Sequence, residues 1–585
     1  MNMTNTSVIE DLEPRLAPAG IVTVTVNSAG LLTITGDPNG NTFDLTEATP
    51  NSGIWKISDT TAASGTTFIL NGQPAQPSIT FPAQQSLKVT LNGGDDQMCA
   101  NGVQINGRVD AFGNDGVDTI DFSACVINGV TTIDSGTGGD QVSVMGTYNG
   151  VIIKSGAGND TVNVLGGIQA KGVTVDLGTD ANTFNLDGPS LSIFGNLSVT
   201  APGSTGVHQV FNVFTDAGFI AGNASFKTTI GGTTFNLGDD ALDSNRITGN
   251  LTLTTAGGDD IFSFTHDVSV GGALNIVAGA GTNEVFSNNL GSLVAGSFSF
   301  TGGMNTDDVN LSSGGTVIIG GNVMLTLGDG SNGAAFGGTS AAIIGGGLTF
   351  TGGAGNDDLF LNGSFVNVHG ALNFKGGNGF NGAFFSATSG NLSSVNFIGG
   401  TGGDLLDLGG VGTTGLAIQG NVVTNMGAGS SILSTQNVLI YGNLLHANAA
   451  ALGGNDFTDI KNTKILGSAT INSTGTANSF LNFNDSSVRS AFTLNSGAGD
   501  DILSLDTLGG TSSGSLFGGP VMINMGAGND TFNAGANPLS LNALNSFGST
   551  LKIDGGAGND TANFKTGFGN SFFVPPTNPF VETVN

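Results

Sequence analysis

Residues 251–264 read Leu-Thr-Leu-Thr-Thr-Ala-Gly-Gly-Asp-Asp-Ile-Phe-Ser-Phe, and this stretch decides the fold. It contains two short runs in which apolar and small polar residues alternate, separated by the turn Gly257-Gly258-Asp259-Asp260. An alternation of period two is the pattern of a β-strand with one buried face. The stretch therefore predicts a strand, a glycine-rich acidic turn and a second strand.

The same unit recurs along the chain at intervals of 22 to 30 residues. Its first apolar residue is found at Leu251, Leu274, Phe298, Val323, Leu348, Leu372, Val395, Val422, Leu444, Ala469, Phe492, Val521 and Leu551. A weaker third strand closes each unit, so one coil of about 23 residues would hold three short strands. A single coil exposes its apolar residues until a neighbour stacks on it. The pattern predicts an all-β fold, a single-stranded parallel β-helix or β-solenoid.

The regular array is predicted to cover residues 91–567. Residues 1–20 are predicted to be a leader, and residues 21–90 irregular first coils or a small β cap. Residues 568–585, which contain several Pro, are predicted to be a tail that leaves the ladder. Terminal elements of this kind are expected because the first and last coils would otherwise expose the core.

The composition is that of an ordered acidic protein. Of 585 residues 99 are Gly, 38% are hydrophobic and 10% are charged, so the chain is too apolar to be disordered. The 44 acidic residues against 14 Lys and Arg give a formal net charge of -30. This charge disfavours nucleic acid and anionic membranes and favours divalent cations or cationic partners. No apolar run is long enough for a transmembrane helix, so no membrane-spanning segment is expected.

The acidic turns carry the oxygen ligands that calcium prefers. Glycine lets the backbone turn tightly and aim its carbonyls inward, while Asn and Asp add side-chain oxygens. The candidate calcium ligands are Asp118, Asp140, Asn159, Asp160, Asp259, Asp260, Asp307, Asp308, Asn356, Asp357, Asp358, Asp500, Asp501, Asn529, Asp530, Asn559 and Asp560. The alternative is that Asn and Asp only cap the turns by bonding the local backbone. Coils such as the one with Gly-Ala-Gly-Ser-Ser at 427–431 lack the acid altogether.

These turns resemble the RTX, or haemolysin-type, calcium-binding repeat, whose nonapeptide is Gly-Gly-x-Gly-x-Asp-x-apolar-x. Residues 555–560 match its first six positions, and residues 352–359 match through the apolar position. That family stacks two nonapeptides per coil, whereas here one copy appears per coil. The resemblance implies a secreted solenoid with calcium bound at its turns.

Residues 11–20, Asp-Leu-Glu-Pro-Arg-Leu-Ala-Pro-Ala-Gly, are similar to the LEPR-type segment that opens many large secreted and surface proteins of planctomycete-type bacteria. The basic stretch that usually precedes this motif is missing, as is the apolar core of an ordinary signal peptide. The resemblance implies an extracellular or cell-surface location.

The basic residues and histidines do not indicate catalysis. Parallel β-helices also hold polysaccharide lyases and hydrolases, which need a base beside a calcium-bound acidic cluster or two carboxylates in a groove. The four His lack metal-ligand spacing, and His446 is predicted to be buried and hydrogen-bonded because it takes an apolar strand position. The candidate bases, interpreted as surface charges, are Arg108, Arg246, Arg489, Lys461 and Lys464. The two Cys, Cys99 and Cys125, fall at different positions of the repeat, and a disulfide between them stays open.

We therefore expect a secreted or cell-surface structural or binding protein, such as an adhesin, a spacer or a matrix component. Its partners would be glycans, cell-surface or matrix components, or other copies of itself. The alternative is a polysaccharide-active β-helix enzyme.

Overall fold

The computed structural model describes residues 20–60, 65–203, 206–214, 218–238, 244–288, 291–313, 315–409, 415–449, 454–506, 514–535, 545–564, 570–572 and 583–584. These residues form 59 β-strands and no helix, and thus no helix among them could span a membrane. The chain divides into two compact units, Met1–Ser204 and Thr205–Asn585.

The first unit opens with antiparallel hairpins. In it β1 pairs with β2, β3 with β4, and β4 with β6, all antiparallel, whereas β5 runs parallel to β1. The bounds are β1 (Ile21–Val26), β2 (Leu31–Thr35), β3 (Thr42–Glu47), β4 (Ile54–Ser58), β5 (Thr67–Leu70) and β6 (Ser78–Pro82). Trp55 on β4 is fully buried and meets the ring of Phe81 edge-on at 6.4 Å. These hairpins lie within the segment 21–90, for which irregular coils or a cap are predicted.

The rest of the first unit is a parallel coil stack with three faces. The long strands β11 and β12 run through all three faces and pair with shorter strands on each. The bounds are β7 (Ser86–Gly93), β8 (Gln97–Asn101), β9 (Gln104–Ile105), β10 (Val109–Asp115), β11 (Thr119–Thr137), β12 (Gln141–Lys154), β13 (Thr161–Leu165), β14 (Gln169–Ala170), β15 (Val173–Asp176), β16 (Thr183–Asp187), β17 (Ser192–Ile193) and β18 (Leu197–Ala201).

In the second unit the coils from β19 (His208–Phe214) to β56 (Leu551–Asp554) also have three faces. We call face 1 the strands that follow the acidic turn, and its strands pair in parallel from coil to coil. They are β19 (His208–Phe214), β22 (Gly232–Leu237), β25 (Asp260–Thr265), β27 (Asn283–Asn288), β29 (Asp307–Ser313), β32 (Asn332–Phe336), β35 (Asp357–Leu361), β37 (Asn381–Phe385), β39 (Asp404–Leu408), β42 (Ser431–Gln436), β45 (Asn455–Lys461), β48 (Asn478–Asn484), β51 (Ile502–Leu505), β54 (Thr531–Ala534), β57 (Thr561–Phe564) and β59 (Thr583–Val584).

Face 2 comes next along each coil, and face 3 leads into the following acidic turn. Face 2 holds β20 (Phe219–Ile220), β23 (Ser244–Ile247), β30 (Val317–Ile319), β33 (Ala341–Ile344), β40 (Gly415–Ile418), β43 (Val438–Ile440), β46 (Lys464–Ile465), β49 (Ser487–Val488), β52 (Leu516–Phe517), β55 (Asn545–Phe547) and β58 (Asn570–Phe572). Face 3 holds β21 (Ala224–Thr228), β24 (Leu251–Thr254), β31 (Val323–Gly328), β34 (Leu348–Gly352), β41 (Val422–Asn425), β44 (Leu444–Asn448), β47 (Ala469–Ser473), β50 (Phe492–Asn495), β53 (Val521–Asn524) and β56 (Leu551–Asp554). Four longer strands, β26 (Asp267–Val277), β28 (Leu293–Thr301), β36 (Phe365–Lys375) and β38 (Ser389–Ile398), cover both faces.

The repeat residues predicted to line up form one row on face 3. From Leu251 to Leu551, each first apolar residue pairs in parallel register with the next, without a break. All thirteen are buried. The predicted fold class, an all-β parallel solenoid, is confirmed.

Stacked phenylalanines show how strict the register is. The rings of Phe350, Phe374 and Phe397 lie 4.8 Å apart, with planes tilted by 12° and 3°. All three are buried. A slip of one residue would turn each ring to the opposite face, so the stack holds the coils in register.

The carboxy-terminal segment differs from the prediction that residues after 567 leave the ladder. Asn570–Phe572 pairs in parallel with β55, and Thr583–Val584 pairs with β57. The reason is local sequence: Asn-Ser-Phe at 570–572 repeats Asn-Ser-Phe at 545–547, so the same pairing can continue. The rest of the predicted tail, and the leader up to residue 19 with its LEPR-type segment, lie outside the described residues.

Candidate functional site at the acidic turns

The predicted ligands occupy three positions around one corner of the coil. We call the buried residue at the start of face 1 the inner position, and it holds Asp118, Asp140, Asp160, Asp260, Asp307, Asp357, Asp501, Asp530 and Asp560. The residue before it, the outer position, is held by Asn159, Asp259, Asn356, Asp500, Asn529 and Asn559. Asp308 and Asp358 follow the inner position and face away from the core. The corner itself needs glycine: Gly158 has a φ of +127°, and a Cβ there would overlap the carbonyl of Gly138 in the preceding coil.

Inner side chains of the first unit form a continuous hydrogen-bond ladder. The amide N–H of Asp96 donates to Asp118 Oδ1 at 3.0 Å, Asp118 N–H to Asp140 Oδ1 at 2.8 Å, and Asp140 N–H to Asp160 Oδ1 at 2.9 Å. The ladder ends on an amide, because Asp160 N–H donates to Asn182 Oδ1 at 2.8 Å. Each inner side chain therefore reaches back to the coil before it.

The second unit has a ladder of the same kind, and Asn and Asp alternate along part of it. Asn283 Nδ2 donates to Asp307 Oδ1 at 2.7 Å, Asp307 N–H to Asn332 Oδ1 at 2.9 Å, and Asn332 Nδ2 to Asp357 Oδ1 at 2.8 Å. Asn332 Nδ2 also lies 3.2 Å from the carbonyls of its own turn. Carboxylate and amide thus serve interchangeably as acceptors at this position.

The last coils return to Asp at the inner position. The amide N–H of Asp501 donates to Asp530 Oδ1 at 2.8 Å, and Asp530 N–H donates to Asp560 Oδ1 at 3.0 Å. These bonds repeat those between Asp96 and Asp160 in the first unit, whose ladder ends on Asn182 instead.

The outer side chains bond in the opposite direction. Asn159 Oδ1 accepts the N–H of Ala181 in the following coil at 3.0 Å. Likewise Asn356 Oδ1 accepts Phe380 N–H at 2.9 Å. The Asn-Asp pair of one turn therefore holds the coil ahead with its first residue and the coil behind with its second.

Burial raises the pKa of the inner carboxyls well above the ordinary value. Desolvation raises the pKa of Asp118 and Asp160 to about 6 and that of Asp530 to about 7, and the neighbouring carboxylates add repulsion. The Oδ2 atoms of Asp118, Asp140, Asp160 and Asp530 are buried and have no hydrogen-bond partner. In Asn182 the Nδ2 group donates to the carbonyls of Leu177 and Thr179 at 2.8 and 2.9 Å. An acid protonated on Oδ2 could donate to turn carbonyls in the same way, whereas an ionised one could not.

The arrangement does not fit a conventional calcium site. Calcium takes six to eight oxygens, usually including several carboxylates. Across the described residues, no three Asp, Glu, His or Cys side chains converge where they could hold a metal. One oxygen of each inner carboxylate in the ladders is occupied by a bond to the adjacent coil. These bonds join adjacent coils, whereas the turn-capping alternative has Asn and Asp bond only their own turn, and calcium at these turns stays a prediction.

Sequence reasoning missed several residues at the inner position. Asn41, Asp96, Asn182 and Asn381 hold the same corner position and are buried. The available signals were their place at the beginning of the face 1 strand and, for Asp96, the Gly-Gly-Asp-Asp turn at 93–96. A second ladder at the corner between faces 2 and 3 was also missed. There Asn250 Oδ1 accepts Ala273 N–H and Asn443 Oδ1 accepts Ser468 N–H, both at 2.8 Å; further members are Asn223, Asn322 and Asn421. The Gly-Asn that recurs directly before several face 3 strands, such as those beginning at Leu251, Val323 and Leu444, was the available signal.

The other candidate residues are separate from the turns. His446 is buried, as predicted, with Nδ1 2.6 Å from Thr424 Oγ1, and burial lowers its pKa to about 4. Arg108 forms an ion pair with Asp110, which lies two residues further along the same coil. Cys99 and Cys125 are both free thiols.

Fold and corner together define the class: a parallel β-solenoid whose coils are joined by ladders of Asn and Asp. No protein-family model matches the sequence, and no curated protein is significantly similar to it.

Proposed function

We propose that the protein is a secreted or cell-surface repeat protein with a structural or binding role, such as an adhesin, a spacer or a matrix component. The observation that carries this proposal is the use of the acidic residues. Inner and outer side chains at the turns bond to adjacent coils and so hold the stack together. This role requires no catalytic group, and the polar outward side chains leave a surface for glycans, matrix components or other copies.

The extracellular location is proposed from the resemblance of residues 11–20 to LEPR-type segments and of the turns to RTX repeats. Brief protease treatment of intact source cells, followed by detection of the chain with antibody, tests it. Loss of the chain while a cytoplasmic marker survives is the expected result. A chain protected until the cells are lysed would contradict a surface location.

A polysaccharide-active enzyme is the competing proposal. An open groove of about 740 Å³ on face 2 of the second unit is lined by Phe365, Asn391, Asn437 and Lys464 among others, and its lining contains no Asp, Glu or His. A hydrolase needs two carboxylates in its groove. We expect no turnover of acidic polysaccharides by the full chain. Turnover that is lost on Lys461→Ala, Lys464→Ala or Arg246→Ala would reverse the proposal.

Calcium binding is tested by thermal melting with and without a chelator. A ligand that binds only the folded chain raises its stability, so bound calcium predicts a lower melting temperature in EDTA. The double variant Asp530→Ala and Asp560→Ala should lose part of that response, whereas Asp134→Ala, outward on β11, should keep it. A melting temperature that EDTA does not change would contradict calcium binding, and hydrogen bonds alone would then hold the corners.

A further inference from the structure

An apolar groove of about 450 Å³ opens on face 1 of the second unit. It crosses five successive strands, from β35 to β45. Its walls are the side chains of Phe380, Phe384, Leu405, Ile432 and Phe457. These are unusual on an outward face, because Phe380 is 67% and Phe457 42% exposed. Exposed contiguous apolar surface of this kind marks interaction sites.

Two glycines shape the floor of the groove. Gly382 stands in register between Asp358 and Leu405, and it leaves a notch where its neighbours carry side chains. The ring of Phe384 folds over Gly382 and stacks on Phe360 at 4.8 Å. A Cβ on Gly403 would come within 2.6 Å of the Phe380 ring. The absence of both Cβ atoms is what makes room for the rings to lie across the strands.

The groove is acidic and has no cation of its own. A Cβ on Gly382 would lie 2.5 Å from Asp358 Oδ1, so this carboxylate stands at the floor of the notch. Asp407 and Asp459 lie two residues beyond Leu405 and Phe457 on the same outward face, each with a buried Oδ1 that has no hydrogen-bond partner. The residues lining the groove include no Lys, Arg or His. Lys461, two residues beyond Asp459 on the same strand, partly offsets the charge of Asp459, and a cationic occupant would offset that of Asp358.

We propose that this groove binds an extended segment of a partner protein in which Lys or Arg alternates with apolar residues. The cation would pair with Asp358 beside the edge of the Phe384 ring, whose face towards that strand is covered by Phe360. The apolar side chains would pack on Leu405, Ile432 and Phe457. This inference rests on the proposed binding role and names the chemistry of the partner.

The length of the groove and the charge of its walls favour an extended cationic segment over a second copy of the chain or a neutral glycan. Five strands span about 19 Å, which matches about six residues of extended chain. A second copy fits poorly, because the chain carries 44 acidic residues against 14 Lys and Arg. A neutral glycan would leave the Asp358 carboxylate without a counter-charge in a partly buried site.

The test uses the full chain and a fluorescein-labelled peptide of alternating Lys and Leu, about eight residues long. Fluorescence anisotropy should show saturable binding, weakened by added salt. Matched peptides of alternating Glu and Leu, and of Lys and Ser, should bind at least about tenfold more weakly. The variants Asp358→Asn and Phe457→Ser should each weaken binding of the Lys-Leu peptide by about tenfold.

Matched controls lie on the same outward row of face 1. Asp308→Asn and Ile261→Ser remove a carboxylate and an apolar side chain at equivalent register positions, and should leave binding unchanged. Phe380→Ser, at an exposed turn, provides a second groove variant if Phe457→Ser unfolds. Absence of saturable binding, or equal binding by all variants, would overturn the proposal.

Two further outcomes would overturn it in favour of another occupant. One is a neutral oligosaccharide whose binding is lost in Phe457→Ser. The other is concentration-dependent dimerisation, measured by analytical ultracentrifugation, that the same variant abolishes. Neither outcome affects the proposed structural role. That role would be contradicted by different results, namely turnover of polysaccharides or an intracellular location.

Discussion

The inner corner residue illustrates how one side chain meets two opposing demands. Its Oδ1 must accept an amide N–H from the coil before it, which favours either Asn or Asp. Its second polar atom is buried, and in Asn182 and Asn332 that atom donates to carbonyls of the turn. Asp357 meets the second demand as a carboxylate, because its Oδ2 accepts Gly353 N–H at 3.2 Å, whereas Asp118, Asp160 and Asp530 would meet it only when protonated.

Stability should therefore fall as pH rises. The pKa of the inner carboxyls is raised in the folded chain, to about 6 for Asp118, Asp160 and Asp307 and about 7 for Asp96 and Asp530, whereas an unfolded Asp titrates near about 3.9. Their contribution is complete below about pH 4 and is lost as pH rises through about 6 to 7. Each carboxyl is expected to contribute on the order of 1 kcal/mol. Thermal melting from pH 4.5 to pH 8.5 without calcium checks this, and a melting temperature that rises with pH would contradict it.

Substitution at Asp118 separates the acceptor role from the charge. Asp118→Asn keeps the bond to Asp96 N–H and removes the buried charge, so it should be neutral at pH 5 and stabilising at pH 8. Asp118→Ala leaves that N–H unpaired and should cost about 1–3 kcal/mol at both pH values. The measurement is urea unfolding at the two pH values, with Asp134→Asn as control. Equal effects of the Asn and Ala variants would show that the bond to Asp96 contributes nothing.

The corner turns of each coil need glycine because it has no side chain, as well as because it can adopt a positive φ. At Gly158 the positive φ and the close approach of the Gly138 carbonyl both exclude a side chain. Gly150, in the same unit, has no atom within 4 Å of a Cβ added there. The two glycines thus differ both in φ and in whether the neighbouring coil occupies the space where a Cβ would lie.

Gly158→Ala should be strongly destabilising, by about 2 kcal/mol or more, because strain at φ adds to a backbone clash. Gly150→Ala should change the free energy of unfolding by less than about 0.5 kcal/mol. Denaturant unfolding of both variants checks the difference. If Gly158→Ala were as well tolerated as Gly150→Ala, coil contacts at the acidic turn would be looser than described.

On the scale of each whole unit, stability is a sum over neighbouring coils. Every coil of a solenoid contacts mainly the coils before and after it, so damage is expected to stay local. In the second unit the row of thirteen apolar residues on face 3 and the ring stack from Phe350 to Phe397 cross many coils. Each link in such a row is made by two adjacent coils alone.

Phe374→Ala should remove the middle of that stack and cost about 3–5 kcal/mol. Hydrogen exchange should then speed up in strands β34, β36 and β38 while strands β50 and β53 of the same unit keep their protection. Phe380→Ala, which truncates an exposed ring, is the matched control and should leave exchange at β36 unchanged. Loss of protection throughout the second unit would instead mean that it unfolds as one cooperative block.

Much of the architecture followed from local pattern. Period-two alternation predicts strands, and its recurrence every 22 to 30 residues predicts coils whose residues from Leu251 to Leu551 share one row, as the register confirms. The acidic turns were also placed at the right corner. The side chains there are predicted as calcium ligands, which stays a prediction, and the structure shows many of them hydrogen-bonded to adjacent coils.

Side-chain partners were decided only by the tertiary structure, and the reason is physical. The alternation of a strand is written in consecutive residues, so the sequence by itself determined which side chains point inward. Asp160 accepts a hydrogen bond from the coil before it and Asn159 from the coil after it, and each partner lies 20 or more residues away in the sequence. The space at Gly382 is likewise bounded by Asp358 of the coil before it. Stacking of the coils brings those residues within hydrogen-bonding distance. Only these contacts between coils decide which Asp or Asn oxygen accepts a bond, which carboxyl is buried and where a groove opens.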